Sequence, residues 1–250
     1  MKKLIFIPLF LFLTLPLKAQ IKTAHIIVAL CDNVYQNIAP VPAKLGNGSN
    51  PEQNLYWGAM YGVKTHLKKS PEWSFVSEEK DISPDILRRI IFKHKDKDYW
   101  VILDAYKGKE IKTATKDFFN YLSKVQKNSL EAVLDNQKQN IPFGSASDII
   151  IYAGHNGLMD FTINTPEGKK SSKKAVVLAC QSKKYLNDAI LKTGAESYVT
   201  TNGNMAPEGY VIEAVLNSWA GGKDSAKARK AAAQAYAKYQ KVKSADYLFR

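Results

Sequence analysis

The sequence predicts an α/β fold, a three-layer α/β/α sandwich around a mainly parallel sheet, and three observations carry that expectation. Apolar runs of strand length alternate with segments of helical periodicity. Several of those runs, "IIVAL", "WVIL", "IIIYA" and "AVVLA", are continuously apolar, as strands covered on both faces are. The connections between them are long enough for crossovers, and no internal repeat or low-complexity linker interrupts the pattern.

Taken in order, the chain opens with Lys2 and Lys3, an apolar run from Leu4 to Leu17 broken by Pro8 and Pro16, and then "LKAQ". That is the pattern of a secretory signal peptide over residues 1–19, with cleavage after Ala19. No other stretch is apolar enough to predict a transmembrane anchor, so residues 20–250 are read as a single exported α/β domain, periplasmic or secreted. Its first strand is Ile26–Leu30. A helix is predicted from Asn50 as N-cap and Pro51 as first helical residue to Lys69, with Leu55, Ala59, Val63 and Leu67 inward. "EWSFVSEE" reads as a strand, and Ser83–Pro84 as the start of a helix to Lys95 carrying Ile86, Leu87, Ile90 and Ile91 on its core side. "DYWVILDAY" is the next strand, followed by a helix from Thr115 to Leu134 and a surface loop, "NQKQNIPFGSAS".

Two strands then end in residues that do chemistry. "DIIIYAGHNG" places His155 at the end of the first, and "KAVVLACQS" places Cys180 at the end of the second, with a hairpin-like excursion between them. Ser182 is predicted to cap a helix to Leu191, broken by Gly194. "ESYVTTNGN" is a further strand, "PEGYVIEAVLNSWAGG" a helix, and the segment from Lys223 a final basic helix.

The composition narrows the function classes. The net charge is +13, and removal of Lys2, Lys3 and Lys18 with the signal segment leaves the mature chain at +10. Such a surface suits solvated helix faces and admits an anionic partner, although no nucleic-acid-binding motif accompanies it. His25, His66 and His94 stand singly and no phosphate-loop or dinucleotide pattern occurs, so neither a metal nor a cofactor is predicted. The two cysteines, Cys31 and Cys180, are too few for a disulfide scaffold. A single bridge and two free thiols both fit their spacing.

Ligands of doubly wound sheets bind at the carboxyl ends of the strands, where His155 and Cys180 fall. A cysteine nucleophile needs thiolate character, which an imidazole and the free amides of a helix N-terminus both promote. Acyl transfer also needs donors for the developing oxyanion, for which Asn156 and Gly157 are the candidates beside the Cys180 amide.

An apolar strand ending in His and Gly, followed by an apolar strand ending in Ala-Cys, resembles the catalytic signature of the caspase, legumain and gingipain clan of cysteine peptidases. The resemblance is specific from Ile149 to Ser182 and extends in layout from Ala24 to Ala220. It implies a caspase-like sheet, with Cys180 as nucleophile and His155 as general acid/base. It further implies Asp32 or Asn33 as the group orienting the histidine, and Thr200 and Thr201 as borders of the substrate pocket. The chain departs from the clan pattern at Asn156, where the clan has Gly directly after His. Two functions follow. One is an exported cysteine-peptidase-like hydrolase acting on a peptide or protein. The alternative is a non-catalytic exported domain of the same fold that binds a peptide or an anionic partner.

Overall fold

A seven-stranded, mostly parallel sheet organises the molecule. The computed structural model describes residues 20–124 and 126–250; the signal segment expected over residues 1–19 lies outside the described residues. The strands are β1 (Lys22–Ala29), β2 (Trp73–Lys80), β3 (Ile86–His94), β4 (Tyr99–Tyr106), β5 (Ser129–Leu134), β6 (Gln137–Pro142), β7 (Ile149–Ala153), β8 (Lys174–Leu178) and β9 (Glu196–Val199). The helices are α1 (Val63–Leu67), α2 (Ile111–Ser123), α3 (Ser182–Lys192), α4 (Gly209–Ala220) and α5 (Ser225–Gln240). The sheet order is β2-β3-β4-β1-β7-β8-β9, and β5 and β6 form a separate two-stranded hairpin. Strands β4, β1, β7, β8 and β9 run parallel, and β2 and β3 are antiparallel additions at one edge.

The continuous apolar runs are explained by burial on both faces. Ile26 and Val28 of β1 pack with Val63, Val211, Val215 and Ala232 of the helices α1, α4 and α5, whereas Ile27 and Ala29 pack with Phe118, Leu122, Leu186 and Ile190 of α2 and α3. Alternate residues of one strand therefore feed two cores, which an amphipathic strand does not do. Among the described residues, no helix is long and apolar enough to cross a membrane.

Four local expectations are corrected. Where a helix was expected over residues 84–95, Ile86–His94 form strand β3. Ser83 Oγ accepts the amides of Asp85 and Ile86 at 3.3 and 3.1 Å, a cap-like turn that leads into a strand, and Ile86, Ile90, Ile91 and Phe92 are buried between two antiparallel neighbours. β-branched residues suit that setting better than a helix.

Of the helix expected over residues 50–69, only Val63–Leu67 is helical. The buried Asn54 side chain clasps Cys31, accepting from its amide at 3.0 Å and donating to its carbonyl at 2.8 Å, which pins this segment to the end of β1.

Helix α2 ends at Ser123, eleven residues before Leu134. The chain beyond it turns back as β5 and β6 through Asp135 and Asn136, whose φ values of 50° and 63° match the left-handed pair of a type I′ hairpin turn. That hairpin covers Trp100 and Ile102 with Ala132 and Ile141, so "NQKQNIPFGSAS" is partly strand.

The excursion between β7 and β8 is a crossover between parallel strands rather than a hairpin, with a 3-10 turn at Gly157–Met159. Gly194, at φ +82°, ends α3 as expected.

Candidate functional site

The parallel register brings His155 and Cys180 to the same end of two adjacent strands. Ala153 of β7 is paired with Leu178 of β8, and each candidate residue follows two positions later on its own strand. Both line one cavity of about 360 Å³ at the carboxyl ends of the strands. The wall is also built by the loop after β1, through Asn37, Ile38, Ala39 and Val41, and by Tyr56, Gly154, Met159, Asn204 and Met205.

His155 is mostly buried, and its Nε2 donates to Asp160 Oδ2 at 2.7 Å. The same carboxylate oxygen accepts the amide of Asn37 at 3.4 Å, so Asp160 joins the histidine to the loop that follows β1. The clan resemblance implied Asp32 or Asn33 in this orienting role, and the structure gives both a different task. Asp32 Oδ1 accepts the amides of Val34 and Tyr35 at 2.9 and 3.2 Å. Asn33 exchanges two hydrogen bonds with the backbone of Val41, at 2.7 and 3.1 Å, and so fastens one wall of the cavity. Asp160 was legible only as an acid five residues after His155, inside a segment read as an excursion.

Cys180 is partly exposed and free. Its sulfur lies 3.5 Å from the amide and 3.6 Å from the carbonyl oxygen of Met205. The helix that follows does not offer Cys180 the free amides that the sequence suggested. Gln181, at φ +50°, is the N-cap in place of Ser182. The amides of Ser182 and Lys183 are taken by Thr201, at 3.3 Å to its Oγ1 and 3.0 Å to its carbonyl.

Thr201 is fully buried and its hydroxyl also donates to the Ala179 carbonyl, and Thr200 is buried beside it. Neither lines the cavity. From this segment it is Asn204 and Met205 that do.

Asn156 and Gly157, the oxyanion candidates, are also absent from the cavity wall. Asn156 Oδ1 caps the 3-10 turn by accepting the Leu158 amide at 3.2 Å, and its Nδ2 donates to the Cys180 carbonyl at 2.7 Å. Gly157 opens that turn against the ring of Phe161, where a β-carbon would collide. The residues of this turn that do line the cavity are Gly154 and His155. Gly154, at φ +152°, lies so close to the Ala29 carbonyl that a side chain there would clash.

Cys31 is fully buried, and burial pushes its thiol up to about 11 against the lowering effect of a Tyr56 hydrogen bond. It therefore stays protonated at neutral pH and is no competing nucleophile. β7 lies between β1 and β8, so the strands that lead to the two cysteines do not adjoin. Both thiols are free.

Among the described residues, no three His, Cys, Asp or Glu side chains converge as metal ligands would. No family model, curated protein or solved structure matches the chain.

Proposed function

We propose that the chain is an exported cysteine-peptidase-like hydrolase of the caspase, legumain and gingipain kind. In this reading the fold is a three-layer sandwich of that type and residues 1–19 direct export to the periplasm or beyond. The observation that carries the activity is the shared cavity of His155 and Cys180 with Asp160 holding Nε2 of the imidazole. A nucleophile, a base and a group that orients the base are the parts covalent catalysis requires.

With Nε2 held by Asp160, Nδ1 is the ring atom left for the thiol. As the Cys180 sulfur attacks the carbonyl carbon of a bound peptide, a C–S bond forms and the thiol proton passes to His155. Collapse of the tetrahedral intermediate breaks the C–N bond, and His155 returns that proton to the departing amine. Water, deprotonated by His155, then attacks the thioester carbon. The C–S bond breaks, releasing a carboxylic acid and restoring the thiol. The amides of Cys180 and His155 are the donors assigned to the developing oxyanion, since the Gly154 amide is already given to the Leu178 carbonyl at 3.3 Å. The basic surface favours a protein substrate or partner with acidic segments.

The non-catalytic reading draws on a separate observation. The Met205 backbone engages the Cys180 sulfur, and the Asn156 side chain is committed to the Cys180 carbonyl. A cavity organised in that way suits a resting binding site for a peptide. Labelling with a thiol-directed acyl electrophile separates the two readings. The hydrolase reading expects acylation of Cys180 that turns over in wild type and is lost in His155→Ala. Acylation of equal rate in both proteins overturns it.

A further inference from the structure

The cavity beside Cys180 has a chemical character of its own. Ile38, Ala39, Val41, Met159 and Met205 supply its apolar wall, Asn37 and Asn204 add uncharged amides, and among the described residues no Lys, Arg, Asp or Glu side chain lines it. The carboxylate of Asp160, next in the chain to Met159, is already engaged by His155 and by the Asn37 amide. Met159, at its wall, is 41% exposed and so reaches the cavity mouth.

A charged side chain buried in such a wall would lose its hydration without gaining a counter-charge, which is strongly unfavourable. An apolar side chain would gain by leaving water, and the flexible thioethers of Met159 and Met205 can adjust to its outline. The volume of about 360 Å³ sits at the small end of ligand sites, enough for one side chain and the adjoining backbone rather than an extended ligand.

We propose that this cavity selects peptides whose acyl-donating residue is uncharged and apolar, with Ile38, Met159 and Met205 as the selecting side chains. The proposal rests on the hydrolase reading above.

The test uses the purified chain and three dipeptidyl acyloxymethyl ketones that differ only in the residue next to the reactive carbon: Leu, Asp or Arg. Attack by the Cys180 sulfur forms a C–S bond to the methylene carbon and expels the carboxylate. The second-order rate of adduct formation at Cys180 is read by mass spectrometry, with iodoacetamide as a substrate-independent control. The Leu reagent is expected to react at least about tenfold faster than either charged one, and Met159→Arg, at a half-exposed position, to raise the rate of the Asp reagent relative to Leu. Equal or faster reaction of the Asp or Arg reagent, still dependent on His155, overturns the selectivity and leaves the hydrolase reading standing. Labelling by iodoacetamide but by none of the three ketones overturns both.

Discussion

Asn156 Nδ2 donates to the carbonyl oxygen of Cys180 at 2.7 Å, tying the turn after the histidine strand to the end of the cysteine strand. Asn156 is almost wholly buried, so its loss strands a buried carbonyl and frees the 3-10 turn at Leu158. Asn156→Ala is expected to lower stability by about 1–3 kcal/mol in urea unfolding and to slow Cys180 alkylation, because the two strand ends lose their common tether. Unchanged stability would show that the tether is dispensable.

Asp160 holds His155 through a single carboxylate oxygen, at 2.7 Å. Asp160→Asn keeps the shape and removes the carboxylate that fixes the ring orientation. Its expected effect is a fall of about tenfold or more in the acylation rate of Cys180, while urea unfolding shows a loss of about 1–3 kcal/mol at most. A loss of stability with an unaltered acylation rate would assign Asp160 a structural role alone.

The alternation of buried strands and helices was legible because parallel strands leave a continuous apolar signature, and the adjacency of the His155 and Cys180 strands followed from their order. Residues 84–95 were not, since Ile86, Leu87, Ile90 and Ile91 fit one face of a helix as well as an antiparallel strand. The hairpin at Asp135–Asn136 carried a readable turn signal that a long amphipathic pattern obscured. Within the site, the two reactive residues could be read from strand ends, whereas their partners could not. Asp160, Asn54 and Met205 act through loop geometry and backbone contacts that leave no periodic trace, and Thr201 lies near the chemistry yet serves the joint between β8 and α3.

Asp104 is fully buried on β4, with Arg89 Nε and Nη2 each at 2.7 Å and His25 Nε2 at 3.0 Å. Burial alone would raise its carboxyl, but the hydrogen bonds from Arg89 and His25 outweigh it and hold the group below its ordinary value. Its contribution is therefore present above the unfolded carboxyl value of about 3.9 and is lost as pH falls through the lower folded value. Asp104→Asn leaves Arg89 without its counter-charge and is expected to cost about 3–5 kcal/mol at pH 7. Denaturant titrations of both proteins should show that gap narrowing as the pH drops below 4; a gap independent of pH would contradict the ion pair.

Lys173 is buried just before β8 and donates to the carbonyls of Tyr121, at 2.6 Å, and Lys124 at the end of α2. Burial lowers its ammonium to about 8. The unfolded chain holds that proton up to about 10.4, so between those values unfolding takes up a proton and the lysine's contribution to stability rises with pH. Comparison of wild type with Lys173→Met cancels the other groups titrating there. The wild type is expected to gain on the variant between pH 8 and 10, measured by urea unfolding, and parallel curves would refute the assignment.

The most direct measurement is the rate at which iodoacetamide alkylates Cys180 at pH 7 in wild type and in His155→Ala, with Cys31 as an internal control and folding verified by circular dichroism. A functional dyad predicts a fall of at least about tenfold in the variant, while Cys31 stays unlabelled in both. Equal rates at Cys180 in two folded proteins would contradict the pairing of His155 with Cys180 and, with it, the proposed hydrolase.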